Sequence, residues 1–136
     1  MTYALSAALQ KAVYQHLAEN DAVRAEVGTA IYDAIPSGIP PSTYIALGPE
    51  DVRDRSDNTS NGAEHRFVIS VVTDTAGFRR AKSVAGAISD ALHRVELNLD
   101  RGRLIGMHFV RAQARRQDKG AERRIDLTFR ARVEDD

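Results

Sequence analysis

The sequence predicts an α+β fold, with a mixed or antiparallel sheet of about four to five strands and two main helices packed on one face, ending in a long projecting C-terminal β-hairpin. Three observations predict it. The C-terminal third alternates apolar and polar residues with period two. Two separate segments repeat apolar residues at three-and-four spacing. The order reads helix, helix, strand, strand, loop, strand, helix, hairpin, which leaves the helices outside the strand pairing.

The hairpin spans 104–134. Its return strand puts Ile125, Leu127, Phe129, Ala131 and Val133 on one face and Arg124, Asp126, Thr128, Arg130 and Arg132 on the other. Such alternation is a strand with one face on a core and one in solvent. The outgoing strand offers Ile105, Met107 and Phe109 as its apolar face. A three-residue loop of Asp118, Lys119 and Gly120 suits a type I turn closed by a left-handed glycine. It pairs Gln117 with Ala121, and so sets Phe109 opposite Phe129, Met107 opposite Ala131 and Ile105 opposite Val133. A one-residue slip would separate the two apolar faces.

The first helix carries Leu5, Ala8, Leu9, Ala12, Val13, His16 and Leu17 as one stripe. Asn20-Asp21 ends it, Asp21 is placed to cap a short second helix, and Gly28 to terminate that one. Ala30–Ile35 and Tyr44–Leu47 read as strands, joined by a rigid loop with Pro36, Gly38, Pro40 and Pro41. The stretch 49–64 is polar and cannot bury itself, which makes it a flexible loop in the isolated subunit. His65–Thr73 is a strand whose two faces are both fairly apolar, as in a covered central strand. Thr75 or Asp74 caps the long helix, whose buried stripe runs from Phe78 through Ala81, Val84, Ala85, Ile88 and Leu92 to Val95.

The 136 residues suit one domain over 1–136. Hydrophobic residues are 43% and charged residues 28%, an ordinary globular balance. There is no cysteine, which removes disulfides and thiolate metal sites and fits a reducing compartment. No apolar run approaches a membrane span, so no membrane association is expected. The net charge of zero hides an asymmetry: Arg111 to Arg132 holds eight Arg or Lys against three Asp or Glu. A basic arm on an acidic body suits nucleic acid, or the acidic body of a neighbouring copy. A solvated strand face explains the same charges more simply.

Catalytic constellations are missing. His16, His65, His93 and His108 show no paired ligand spacing; His16 reads as a hydrogen-bonded boundary residue, and the other three as solvated or partly exposed. The glycines form no phosphate-binding loop and the serines no nucleophile elbow. Asp51, Asp54 and Asp57 recur every third residue without the order of a calcium loop, so a solvated acidic loop is the simpler account. Asp33 reads as a turn former. No enzyme, cofactor or metal is expected. Phe67, Phe109 and Phe129 all fall on core faces, which disfavours a base-stacking nucleic-acid module.

The segments Tyr3-Ala4-Leu5, Leu9, Val13-Tyr14, Leu17, Val27-Gly28, Ile31-Tyr32-Asp33, Pro36, Tyr44-Ile45 and Leu47-Gly48 resemble the tail terminator, or tail completion, proteins of long-tailed phages. Ser70–Thr73, Gly77-Phe78, Ala91-Leu92, and Arg123-Arg124 through Arg130–Glu134 continue the resemblance over nearly the whole chain. It is nearest the branch found in gene transfer agents and related prophages. That resemblance implies a virion protein, made in the bacterial cytoplasm, that forms a hexameric ring of itself on the head-proximal end of the tail tube. Its partners would be the tube protein, the head-side connector or stopper, and DNA passing through the lumen without sequence-specific binding. The family has no catalytic residues to carry over. Its common tryptophan near the loop at Asp54–Asp57 is missing here. Another neck, connector or minor tail protein is the nearest alternative. In a ring, Arg115, Arg116, Lys119, Arg123 and Arg124 would meet an adjacent subunit or the tube, with Asp51, Asp54 and Asp57 as the acidic counterpart.

Overall fold

Five strands form one mixed sheet, and three helices cover one of its faces. The computed structural model describes residues 3–35, 38–59 and 61–136. In chain order the elements are α1 (Ser6–Glu19), α2 (Asp21–Val27), β1 (Ile31–Tyr32), β2 (Thr43–Asp54), β3 (Gly62–Thr73), α3 (Arg79–Leu92), β4 (Arg103–Gln117) and β5 (Glu122–Glu134). The strand order is β1-β2-β3-β5-β4. Only β1 and β2 are parallel; the other ladders are antiparallel.

The alternating stripe of β5 lies in the core as its pattern requires. Ile125, Leu127, Phe129, Ala131 and Val133 are all buried beneath the helices. Leu5, Leu9, Val13 and Leu17 of the α1 segment meet Ala81, Val84, Ile88 and Leu92 of α3 over that stripe. A smaller cluster of Ala30, Tyr44 and Val72 closes the other sheet face beside β1.

Local signals fared unevenly. Gly28 ends α2 with φ +60° and returns its N–H to Arg24 O at 2.8 Å. The cap of α2 is Asn20 rather than Asp21, because Asn20 stands one residue earlier with extended backbone and its side chain accepts from Val23 N at 3.0 Å. The long helix starts at Arg79 without a side-chain cap. Asp74 is taken by Ser42, and Thr73 Oγ1 by the N–H of Thr75. The helix stops at Leu92, and Val95 packs on the core from the following coil. The strand expected over Ala30–Ile35 is two residues long. Pro36 of the Pro-rich loop lies outside the described residues.

The stretch 49–64 is mostly sheet. Strand β2 runs on to Asp54 and β3 starts at Gly62, paired from Glu50↔Phe67 to Asp54↔Ala63 after a register shift past Leu47. Polar residues suffice because β3 already holds that edge and the outer side of β2 faces solvent. Local composition does not register a neighbour supplied by a distant segment.

The C-terminal hairpin lies along β3 from Arg123 to Glu134, so only its turn passes beyond the sheet. The turn has four residues, with Gln117 opposite Glu122 rather than Ala121. Lys119 and Gly120 both have positive φ, and Ala121 N–H closes the turn on Asp118 O at 3.0 Å. Asp118 has positive φ as well, and Ala121 is helical, so the chain reverses through four non-strand residues. A bulge between Phe109 and Arg111 then restores the pairs Phe109↔Phe129 and Met107↔Ala131. A second bulge between Leu104 and Gly106 puts Leu104, not Ile105, opposite Val133. Ile105 and Phe109, expected in the core, are 50% and 52% exposed, because Ile105 lies in a bulge and Phe109 stands on the edge strand, which α3 covers only in part, at Met107.

Gly102 seats the hairpin root. Its φ is +71°, and a Cβ there would lie 2.5 Å from Glu134 O and 2.8 Å from a Leu5 methyl. Gly102→Ala is therefore expected to cost more than about 1 kcal/mol, read as a lower midpoint in urea unfolding.

Candidate functional site

The polar side chains divide into groups that hold the fold and groups left over at its margins. Asp126 is the centre of the first kind. Its Oδ1 accepts from Ser70 Oγ at 2.6 Å and Arg124 Nε at 2.8 Å, and Arg115 stands 3.3 Å from Oδ2. Burial pushes its carboxyl pKa up, but these hydrogen bonds and the two guanidinium charges outweigh burial and hold it below the usual value. This one carboxylate thus neutralises two of the five cations expected at a contact surface.

Arg123 is also committed. Its Nη1 donates to Gly120 O at 2.7 Å, and its guanidinium lies 5.9 Å from the centroid of Phe78. Arg116 and Lys119 remain exposed at the turn, with no hydrogen bond or ion pair to another described residue. The structure therefore brings the five together at one end of the sheet but leaves only two free. The three aspartates are spread along the β2–β3 hairpin and satisfied locally. Asp51 accepts from Arg53 Nε at 2.9 Å, Asp54 from Ser56 N–H and Oγ, and Asp57 from Thr59 N–H and Oγ1. The Ser56 side-chain and backbone hydrogen bonds lower the Asp54 pKa, with partial opposition from desolvation.

The most unusual buried group is His65. Expected to be partly exposed, it is 0% exposed, because it sits on the helix-facing side of β3 opposite Ala131. Neither ring nitrogen has a hydrogen-bond partner among the described residues, and Nδ1 is 3.8 Å from Glu50 Oε2. Glu50 is engaged elsewhere: Ser6 Oγ donates to it at 2.7 and 2.8 Å, and Tyr3 Oη donates as well. The group ties the start of α1 to β2. Ser6 bonds the carboxylate and not the imidazole, so this is no nucleophile–base pair. His16 bonds Ala91 O at 2.8 Å, as a boundary histidine should. Among the described residues no group of three His, Asp or Glu side chains is placed to hold a metal ion.

What stays unsatisfied is surface. The sheet ends on one side in β4, a 15-residue edge strand. On the other side β1 covers only Ile45 and Ala46, leaving β2 open from Leu47 onward. Beside that open edge lies a groove of about 930 Å³ between α1 and the strands. Long free edges and an open groove are surface features at which another chain can dock.

The comparisons with known proteins agree. The family model for tail completion protein gp17 matches residues 11–134. The chain belongs to the tail completion protein gp17 family, a family of phage tail structural proteins. Among solved structures, a chain from the virion of a native gene transfer agent particle is 59% identical, with a TM-score of 0.93, over 98% of this chain and 99% of that one. No curated protein matches the chain.

His65 gives a pH test. Burial lowers its pKa below the ordinary 6.5, against the opposing pull of Glu50. The unfolded state then binds more protons than the folded one from about pH 6.5 downward, so stability rises with pH through that range and is lost on acidification. Denaturant midpoints are expected to fall between about pH 7 and 5.5, and His65→Leu to flatten that slope.

Proposed function

We propose that this chain forms a hexameric ring that caps the head-proximal end of a tail tube, ends tube polymerisation and joins the tail to the head-side connector or stopper. DNA passes through the lumen without being read. The observation that carries this reading is the near-complete overlap, at 59% identity, with a chain of a gene transfer agent virion. Membership of a tail completion family supports it, and so does a surface that ends in open strand edges.

Within this reading the turn of the β4–β5 hairpin faces the tube. Strands running along the ring axis point their ends at the neighbouring layers, and this end carries Arg116 and Lys119 with their charges unspent. Arg115, Arg123 and Arg124 brace the turn from within the subunit. Asp51, Asp54 and Asp57 belong to the subunit flank.

Arg116→Glu combined with Lys119→Glu is expected to leave unfolding free energy within about 0.5 kcal/mol of the parent. The same variant should lower the fraction of capped tails and lengthen tubes in negative-stain images. Unaltered capping and tube length would remove these two residues from the tube contact. Tails that end normally without the protein would refute the capping function itself.

A further inference from the structure

The two open edges of the sheet match in level, direction and charge. Phe109 stands at one of them. It touches Phe129 edge-on, with centroids 5.9 Å apart, yet is half exposed, while Phe129 is 1% exposed. Ala112 and Ala114 lie exposed further along β4, paired with the core residues Leu127 and Ile125. Phe109, Ala112 and Ala114 thus form an exposed apolar strip along β4, beside Ala85 and Gly86 of α3.

The groove stands at the opposite edge. Ala7, Gln10 and Tyr14 of α1 form one wall, and Tyr32, Leu47 and Glu50 form the other. Phe109 and the groove share a level. The pairs Phe109↔Phe129, Phe129↔Phe67 and Phe67↔Glu50 run straight across the sheet, so Phe109 and the groove residue Glu50 are the two ends of one row.

Direction fits as well. Successive antiparallel ladders make β4 run opposite to β2. Rotation about an axis along the strands preserves strand direction, so β4 of one copy meets β2 of the next as a further antiparallel neighbour. Charge is complementary too. Strand β4 holds no acid, and Arg111, two residues from Phe109, is its arginine at the level of the groove; Arg103 pairs with Glu134, Arg115 with Asp126, and Arg116 lies at the turn. The receiving edge holds Asp33, Glu50, Asp51 and Asp54 against Arg53.

We propose that neighbouring copies of this chain join by laying β4 of one along the β1–β2 edge of the next, with Phe109 seated in the groove beside α1. The proposal rests on the ring reading and names its subunit contact. It is a heterologous contact, one patch meeting a different one, and such contacts close into rings. An aromatic anchor entering a pocket, bordered by weaker charged contacts, is the usual distribution of energy at an interface.

The chain has no cysteine, so introduced pairs report unambiguously. Ala112→Cys together with Ala34→Cys keeps Phe109 and places one thiol at each edge. Treatment of assembled protein on tail tubes with a short bismaleimide should yield a ladder of linked subunits ending at a closed ring. Neither single variant should link. Linked dimers from Ala112→Cys alone would mean β4 meeting β4 across a two-fold axis, and would overturn the proposal. Six-fold rings on tubes with no linkage in the double variant would overturn this interface while leaving the ring reading intact. No rings on any tube would overturn both. As a second measurement, Phe109→Glu should weaken assembly by about tenfold or more and Phe109→Leu much less, with both variants keeping the parent's circular dichroism. Equal assembly by folded Phe109→Glu and parent protein would also overturn the proposal.

Discussion

The burial of one face of β5 between β3 and β4 constrains every other element. Five alternate side chains of this strand, from Ile125 to Val133, must all enter the same layer, since a single-residue slip would turn each of them to solvent. With β3 on one side and β4 on the other, the two neighbours inherit that register. Phe67, Phe129 and Phe109 come into one row, and α1 and α3 take the larger apolar face of the sheet.

One-sided coverage has a consequence for charge. The sheet face away from the helices carries the polar half of each alternating strand, and its arginines are tied to a few carboxylates. Asp126 holds Arg115 and Arg124, and Glu64 stands within 4 Å of Arg55, Arg66 and Arg130. Such exposed pairs add little stability each. They do spend the charge of the hairpin locally, so that a sequence dense in arginine leaves few of them free. The buried His65, whose ring nitrogens have no hydrogen-bond partner among the described residues, is the opposite case, a polar group carried into the core by the period of its strand.

The edges follow from the same constraint. Helices that pack over β3 and β5 reach β4 only at Met107, and a two-residue β1 cannot cover β2. The sheet is finished in the middle and unfinished at both sides. Open edges of this kind are where a further strand can pair.

Much of this was legible in the sequence. Periods of two and of three to four, with glycine punctuation, determine the helices, the hairpin, the α+β class and the core stripe of β5, because these are short-range properties of the chain. Other features were decided only by tertiary structure. A four-residue turn and a bulge near Val110 cancel to give the Phe109↔Phe129 pair that a three-residue turn alone would also give. The polar stretch 49–64 became sheet because β3 was there to pair with it. Phe109 left the core, His65 entered it, and Arg115, Arg123 and Arg124 were taken up inside the subunit. Which strand stands at an edge, and which charge finds a partner, depends on contacts between residues far apart in the chain, and local pattern carries no record of those distances.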